Sequence, residues 1–108
     1  MPVLFSLISK VTVICDSALK DVLIKWGEEA GATGNTWFDC HGKGRHEVIL
    51  NPYSGADRVA IVFLCSEATA DKIVEGCIRY KRQGVSVYKE KVEVPQYDAH
   101  KFGKSTDA

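Results

Sequence analysis

The 108-residue sequence predicts an α+β sandwich of the ferredoxin-like βαββαβ type, a four-stranded antiparallel sheet with two helices on one face. Three observations carry the prediction. Short β-branched runs stand at Lys10–Cys15, Thr36–Cys40, Arg58–Cys65 and Val85–Val94, each of strand length rather than helix length. Apolar residues recur at intervals of three and four between the first and second runs, and again between the third and fourth. Right-handed crossovers then put both helices on the same side of one sheet.

The elements follow in order. Lys10–Cys15 is β-branched and short, which suits a strand with little polar surface on either face. Asp16 and Ser17 supply side-chain oxygens for the free amides of a helix start. Leu19, Val22, Leu23, Trp26 and Ala30 form one face of that helix, and Gly31 ends it in a left-handed cap. Thr36–Cys40 is rich in residues that fit a pleated surface. His41–Asp57 is irregular, with Gly42, Gly44, Pro52 and Gly55, and only a weak strand signal at Glu47–Leu50. Arg58–Cys65 is the clearest strand, and Ser66 caps a helix carried by Ala70, Ile73, Val74, Cys77 and Ile78. Gly84 ends it, and Val85–Val94 alternates like a half-exposed strand. Beyond Pro95 the polar stretch Gln96–Ala108 is expected to be loosely held. The domain is assigned to residues 1–102, with 103–108 a flexible tail.

Both faces of the central strands are apolar: Val59, Ile61 and Phe63 point one way, Ala60, Val62 and Leu64 the other. A sheet with helices on one side needs polar residues on its wet face. Burying each aliphatic side chain is worth roughly 1.5–3 kcal/mol, so this open face predicts self-association into a closed ring. The competing expectation is that the long loop or the N-terminal segment folds over it.

Composition excludes several function classes. Fourteen basic and fourteen acidic residues leave no net charge to draw the molecule to nucleic acid or an anionic membrane. Pro2–Ile8 is too short and lacks the basic leader of a secretory signal, and no apolar run approaches the ~20 residues of a membrane span. The four cysteines therefore read as reduced thiols of a cytoplasmic protein. Cys15 and Cys65 close strands expected to be parallel neighbours, which would place these two thiols within reach of one another.

The strongest candidate for chemistry is Gly42-Lys43-Gly44-Arg45. Glycines let backbone amides approach an anion closely, and the two cations supply charge, which is how phosphates are held. By itself the run is equally an ordinary glycine turn, since it lacks P-loop and dinucleotide spacing. Cys40-His41, with Cys15, Cys65, His46 or Glu47, matches no zinc spacing. His46-Glu47 lacks the second histidine of a zinc protease helix. Tyr53 beside Pro52 reads as a turn residue, and Arg79, Lys81 and Arg82 as a solvated helix end.

A helix ending in Gly31-Ala-Thr-Gly-Asn-Thr36, then a strand running into Gly42-Lys-Gly-Arg45, resembles the PII signalling proteins. It is most similar to the divergent PII-like branch associated with bicarbonate uptake and carboxysomes. The closing Val92-Glu-Val94 strand and the tail His100-Lys-Phe102 extend the resemblance over Lys10 to Phe102. It implies a cytoplasmic homotrimer, not an enzyme, that binds an adenine nucleotide in intersubunit clefts and admits bicarbonate. It also implies signalling in inorganic-carbon metabolism, through a mobile loop, to a transporter or a carbon-metabolism protein. Any membrane contact runs through that partner. Carried over, Thr36, Gly42, Lys43, Gly44 and Arg45 line one wall of the cleft. Gly84, with Lys89 and Lys91 substituting for the family's phosphate-gripping arginines, lines the other from a neighbouring chain. The reduced Gln83-Gly84 turn and the missing arginine pair favour ADP or AMP over a triphosphate. The partner-facing loop comprises His46, Glu47, Val48, Ile49, Leu50 and Tyr53. The alternative from another class is a metal- or thiol-handling trimer similar to the divalent-cation tolerance proteins. A third is a small enzyme of the same topology.

Overall fold

A computed structural model describes residues 3–42 and 58–103. Strand β1 (Phe5–Asp16) leads through a 3-10 turn (Ser17–Leu19) into helix α1 (Lys20–Glu29). Strands β2 (Thr36–Cys40) and β3 (Arg58–Cys65) follow, then helix α2 (Glu67–Ile78), a 3-10 turn (Lys81–Gln83), strand β4 (Ser86–Pro95) and a 3-10 segment (Gln96–Phe102). The sheet order is β2-β3-β1-β4, with every neighbouring pair antiparallel. The expected α+β architecture stands, with β1 beginning five residues earlier than Lys10.

Local chemistry sets the boundaries. The Asp16 carboxylate accepts from the Ala18 amide at 2.9 Å, so it caps the 3-10 turn and α1 starts one turn later than the sequence suggests. Ser66 Oγ accepts from the Thr69 amide at 3.2 Å and starts α2 as expected. Gly84 takes φ 77° where the chain reverses into β4, a left-handed conformation that suits glycine.

The main core lies between the helices and the face of the sheet that carries Val11, Val13, Cys15, Val59, Ile61, Phe63 and Cys65. Leu23 from α1 and Ala70, Ile73 and Cys77 from α2 close it. Two glycines set how closely the layers approach. Gly27 lies against the Phe63 ring and Gly76 against the Trp26 indole, whose Nε1 donates to the Ile73 carbonyl at 3.3 Å.

The other face is covered in part by the chain's C-terminal segment. Gln96–Phe102 runs back over it, and Ala99, only 2% exposed, packs with Ile8 and Val94 while Leu64, Val92 and Phe102 surround them. This corrects the reading of everything beyond Pro95 as loose: one alanine methyl finds an apolar socket that composition does not reveal. Residues 104–108 lie outside the described residues.

The antiparallel register also corrects the thiol pair. Cys15 sits opposite Val59, whereas Cys65 sits opposite Ser9, six residues further along β1. At ~3.4 Å per residue they are about 20 Å apart, far beyond the ~7 Å limit for a bridge. β1 and β3 run in opposite directions, so their C-terminal ends lie at opposite edges of the sheet. All four cysteines are free.

Gly27→Ala and Gly76→Ala should each lower stability by about 1–3 kcal/mol through overpacking, outweighing the ~1 kcal/mol that alanine gains in a helix. A urea midpoint that falls with an unchanged slope is the expected outcome. An unchanged or raised midpoint would show that the aromatic rings yield.

Candidate ligand cleft

Two recesses open on the face of the sheet away from the helices. The larger, about 360 Å³, lies where β2 leaves the sheet and β3 re-enters it. Phe38, Cys40 and Gly42 line one side, Ser86 and Tyr88 the other, and Arg58 lies between. The strand register produces this grouping. Cys40 is opposite Arg58, Phe38 opposite Ala60, and Tyr88 opposite Thr12, all on the same face. Phe38 and Tyr88 are each half exposed, at 50%.

Arg58 is 6% exposed, and its Nη2 donates to the Gly84 carbonyl at 3.0 Å. A buried cation is costly unless hydrogen-bonded. Here the bond spans the end of β1 and ties the start of β3 to the turn that begins β4. The sequence marks Arg58, Phe38 and Tyr88 only as strand residues. Their alternation with Val59, Trp37 and Val87 is the signal that places them together on the open face.

The second recess, about 260 Å³, lies at the opposite end of β2. The Thr33-Gly34-Asn35-Thr36 turn forms its rim, Val62 and Leu64 its floor, and Lys101 and Phe102 its outer wall. Thr36 belongs here and Gly42 to the larger recess, and the four steps from Thr36 to Cys40 alone span roughly 13 Å. Within one chain Thr36 and Gly42 therefore border different recesses of the same sheet face. β2 is extended, so it separates residues that a motif reading groups.

Gly84 stands beside the larger recess through Arg58. Lys89 and Lys91 do not face it. They share the helix side of β4, where Lys89 Nζ pairs with Asp71, and Lys91 Nζ lies 3.2 Å from Glu67 Oε2 and 3.3 Å from Ser9 Oγ. The hydrogen bond from Lys89 to Asp71 raises the pKa of Lys89 above the usual lysine value. Lys43, Gly44, Arg45, His46, Glu47, Val48, Ile49, Leu50 and Tyr53 lie outside the described residues. Among the described residues no three histidine, cysteine or acidic side chains converge as a metal site. No helix there is long and apolar enough to cross a membrane.

Burial pushes the Cys15 thiol up to about 11 against the opposing pull of Arg58. Burial also lifts Cys65 and Cys77 to about 11, with Cys15 adding to the effect on Cys77. Cys40 is the half-buried exception, on the open face. A thiol reagent at pH 8 should label Cys40 rapidly and the other three only after unfolding. The folded chain keeps three protons that the unfolded chain releases from about pH 9. Stability should therefore fall as pH rises from about 9 towards 11. Rapid labelling of all four at pH 8 would contradict this burial.

The profile of the nitrogen regulatory protein P-II family matches residues 8–96. No curated protein matches the chain. Solved structures do. CPII from Thiomonas intermedia K12, bound to ADP, AMP and acetate, superposes with a TM-score of 0.78 at 20% identity, covering 93% of this chain and 98% of that one. The same protein bound to ADP and bicarbonate gives 0.74 at 19% identity, covering 87% and 94%. A PII-like signaling protein from Thermus thermophilus gives 0.73 at 21% identity, covering 91% and 97%. At such identities the superpositions speak for the fold, and the profile match speaks for descent: the chain belongs to the nitrogen regulatory protein P-II family.

Proposed function

We propose that this chain is a non-catalytic regulator that binds ADP or AMP between the subunits of a homotrimer and reports occupancy to a partner through its loop. The observation that carries the reading is the placement of two recesses at opposite ends of one open sheet face. The Thr36 recess, about 260 Å³, is smaller than the roughly 300–1,000 Å³ of whole-ligand pockets, and head-to-tail apposition of two copies would join one end to the other. Half-exposed Phe38 and Tyr88 at one end leave apolar area for a neighbour to cover. The Gly42, Lys43, Gly44 and Arg45 run at the root of the loop supplies amides and cations for the phosphates. The apolar floor and polar rim around Thr36 suit the base.

The size of the phosphate group follows from charge. Lys89 and Lys91 are committed to Asp71 and Glu67, so Lys43 and Arg45 provide most of the positive charge, which suits a mono- or diphosphate. CPII bound to ADP, AMP and bicarbonate supports the same ligands here, bicarbonate included. Residues 46–57 are then the signalling segment, with Val48, Ile49, Leu50 and Tyr53 as apolar contacts for a transporter or carbon-metabolism protein in the cytoplasm.

Light scattering should give about three times the 11.9 kDa chain mass, and a monodisperse monomer at micromolar concentration would sink the intersubunit cleft. In calorimetry, Lys43→Ala and Arg45→Ala should each weaken ADP or AMP binding tenfold or more, because charge-assisted contacts contribute roughly 1.5–3 kcal/mol. Unchanged affinity in both variants would leave Gly42–Arg45 an ordinary glycine turn. Amides 46–57 should gain protection from hydrogen exchange when ADP binds, and equal exchange with and without it would remove the loop from the signal.

A further inference from the structure

We propose that Gln96–Phe102 is a strap that closes over the Thr36 recess, and that the Thr33 hydroxyl is its catch. The nature of the ligand rests on the nucleotide reading above; the strap and catch rest on geometry. At the end of β4 the Gln96 amide donates to the Leu4 carbonyl at 2.8 Å, and the chain turns back across the open face. Ala99 plugs the socket of Ile8 and Val94, Phe102 packs against the same cluster, and Gly103 ends the segment at φ 78°. The Thr33 hydroxyl donates to the Lys101 carbonyl and so joins the strap to the turn that precedes β2.

The strap is lightly held. It is a 3-10 segment, whose hydrogen bonds are poorer than those of an α-helix. Its ion pair, Lys101 to Asp98 at 2.8 Å, is internal and fastens nothing to the sheet. Tyr97, 73% exposed, anchors nothing either. What keeps the strap down is the Ala99 methyl, the Phe102 ring, the Gln96 amide and the Thr33 hydroxyl. Two of these four, Phe102 and Thr33, also line the recess, so an occupant touches the strap and its catch together.

The closed recess, about 260 Å³, is smaller than the roughly 300–1,000 Å³ of whole-ligand pockets. It suits one ring-sized moiety: an apolar floor of Val62 and Leu64, the Phe102 side chain as outer wall, and a polar edge from Thr33, Asn35 and Thr36. That chemistry matches a flat heteroaromatic base. Its floor lies within the family match at residues 8–96, whereas Lys101 and Phe102 lie beyond it. All of the strap after Gln96 thus falls outside the part of the chain that the family profile describes. An occupant that binds the closed form better shifts the strap towards closure, and a closed strap slows the occupant's escape.

Hydrogen exchange on the full-length chain and stopped-flow release of ADP test this with Thr33→Val, Thr33→Ser and Phe102→Ala. Without nucleotide, Thr33→Val should exchange several-fold faster at residues 97–103 than wild type, with Thr33→Ser restoring slow exchange and the oligomer unchanged. ADP should slow exchange of the same segment in wild type. Thr33→Val and Phe102→Ala should each release ADP about tenfold faster. Wild-type exchange in Thr33→Val overturns the catch, and unchanged release rates in both variants overturn the strap as a gate. If wild type binds neither ADP nor AMP, the nucleotide reading and the gate fall together. The catch still stands or falls on exchange in the ligand-free variants.

Discussion

Strand β3 is apolar on both faces beyond Arg58, and β1 adds Ile8 and Ile14 to the open face, while the helices cover only the other. Much else in the molecule answers that mismatch. On the helix side, Val11, Val13, Ile61 and Phe63 are sealed by Leu23, Ile73 and Cys77. On the other, Ile8, Val62 and Leu64 have no second layer of regular structure. The chain supplies a partial cover from its own end, the strap around Ala99, while Phe38 and Tyr88 stay half exposed. Each buried aliphatic contributes roughly 1.5–3 kcal/mol, and half-exposed Phe38 and Tyr88 offer apolar area for a neighbouring copy to cover. The recesses lie at the margins of this cover, one bounded by the strap and one beyond its reach.

Arg58 organises the uncovered end. Its backbone restarts the sheet after the loop, and its guanidinium crosses the end of β1 to the Gly84 carbonyl. A lysine in its place would offer a single ammonium in place of a planar fork with five donors, a poor substitute at a site this buried. The Gly84 turn is left-handed, and an added Cβ there would stand 3.5 Å from Arg58 Nη1. One bond thus holds the loop root and the β4 turn in fixed relation, which any cleft built from both requires.

The strands and helices are legible in the sequence because periodicity is a local signal. Arg58–Cys65 and Thr36–Cys40 appear in the structure with the bounds their sequence gives them. The expectations that fail depend on direction and distance. Cys15 and Cys65 each precede a helix start, but only strand pairing reveals that antiparallel β1 and β3 hold them far apart. Lys89 and Lys91 look available among the cations of the sequence, and their parity on β4 turns them to α2 and its acids. The strap is invisible to composition because Gln96–Phe102 is polar overall and is held through a single methyl, a ring, a hydroxyl and one backbone amide.

The separation of Thr36 from Gly42 has a consequence for how a ligand signal travels. If each chain carried a whole site, occupancy would inform only the chain that held it. With the strap-bounded recess at one end and Gly42 and Arg58 at the other, a ligand shared by two copies, as proposed above, would touch the strap side of one and the Arg58 side of its neighbour. Reciprocity then applies: whatever strap closure adds to ligand affinity, ligand binding adds to closure. On that reading the same ligand would also meet Gly42 and Arg58, the residues that flank the segment, and Arg58 is pinned to Gly84. Under the intersubunit reading proposed above, each cleft would couple a strap to the loop of a different chain.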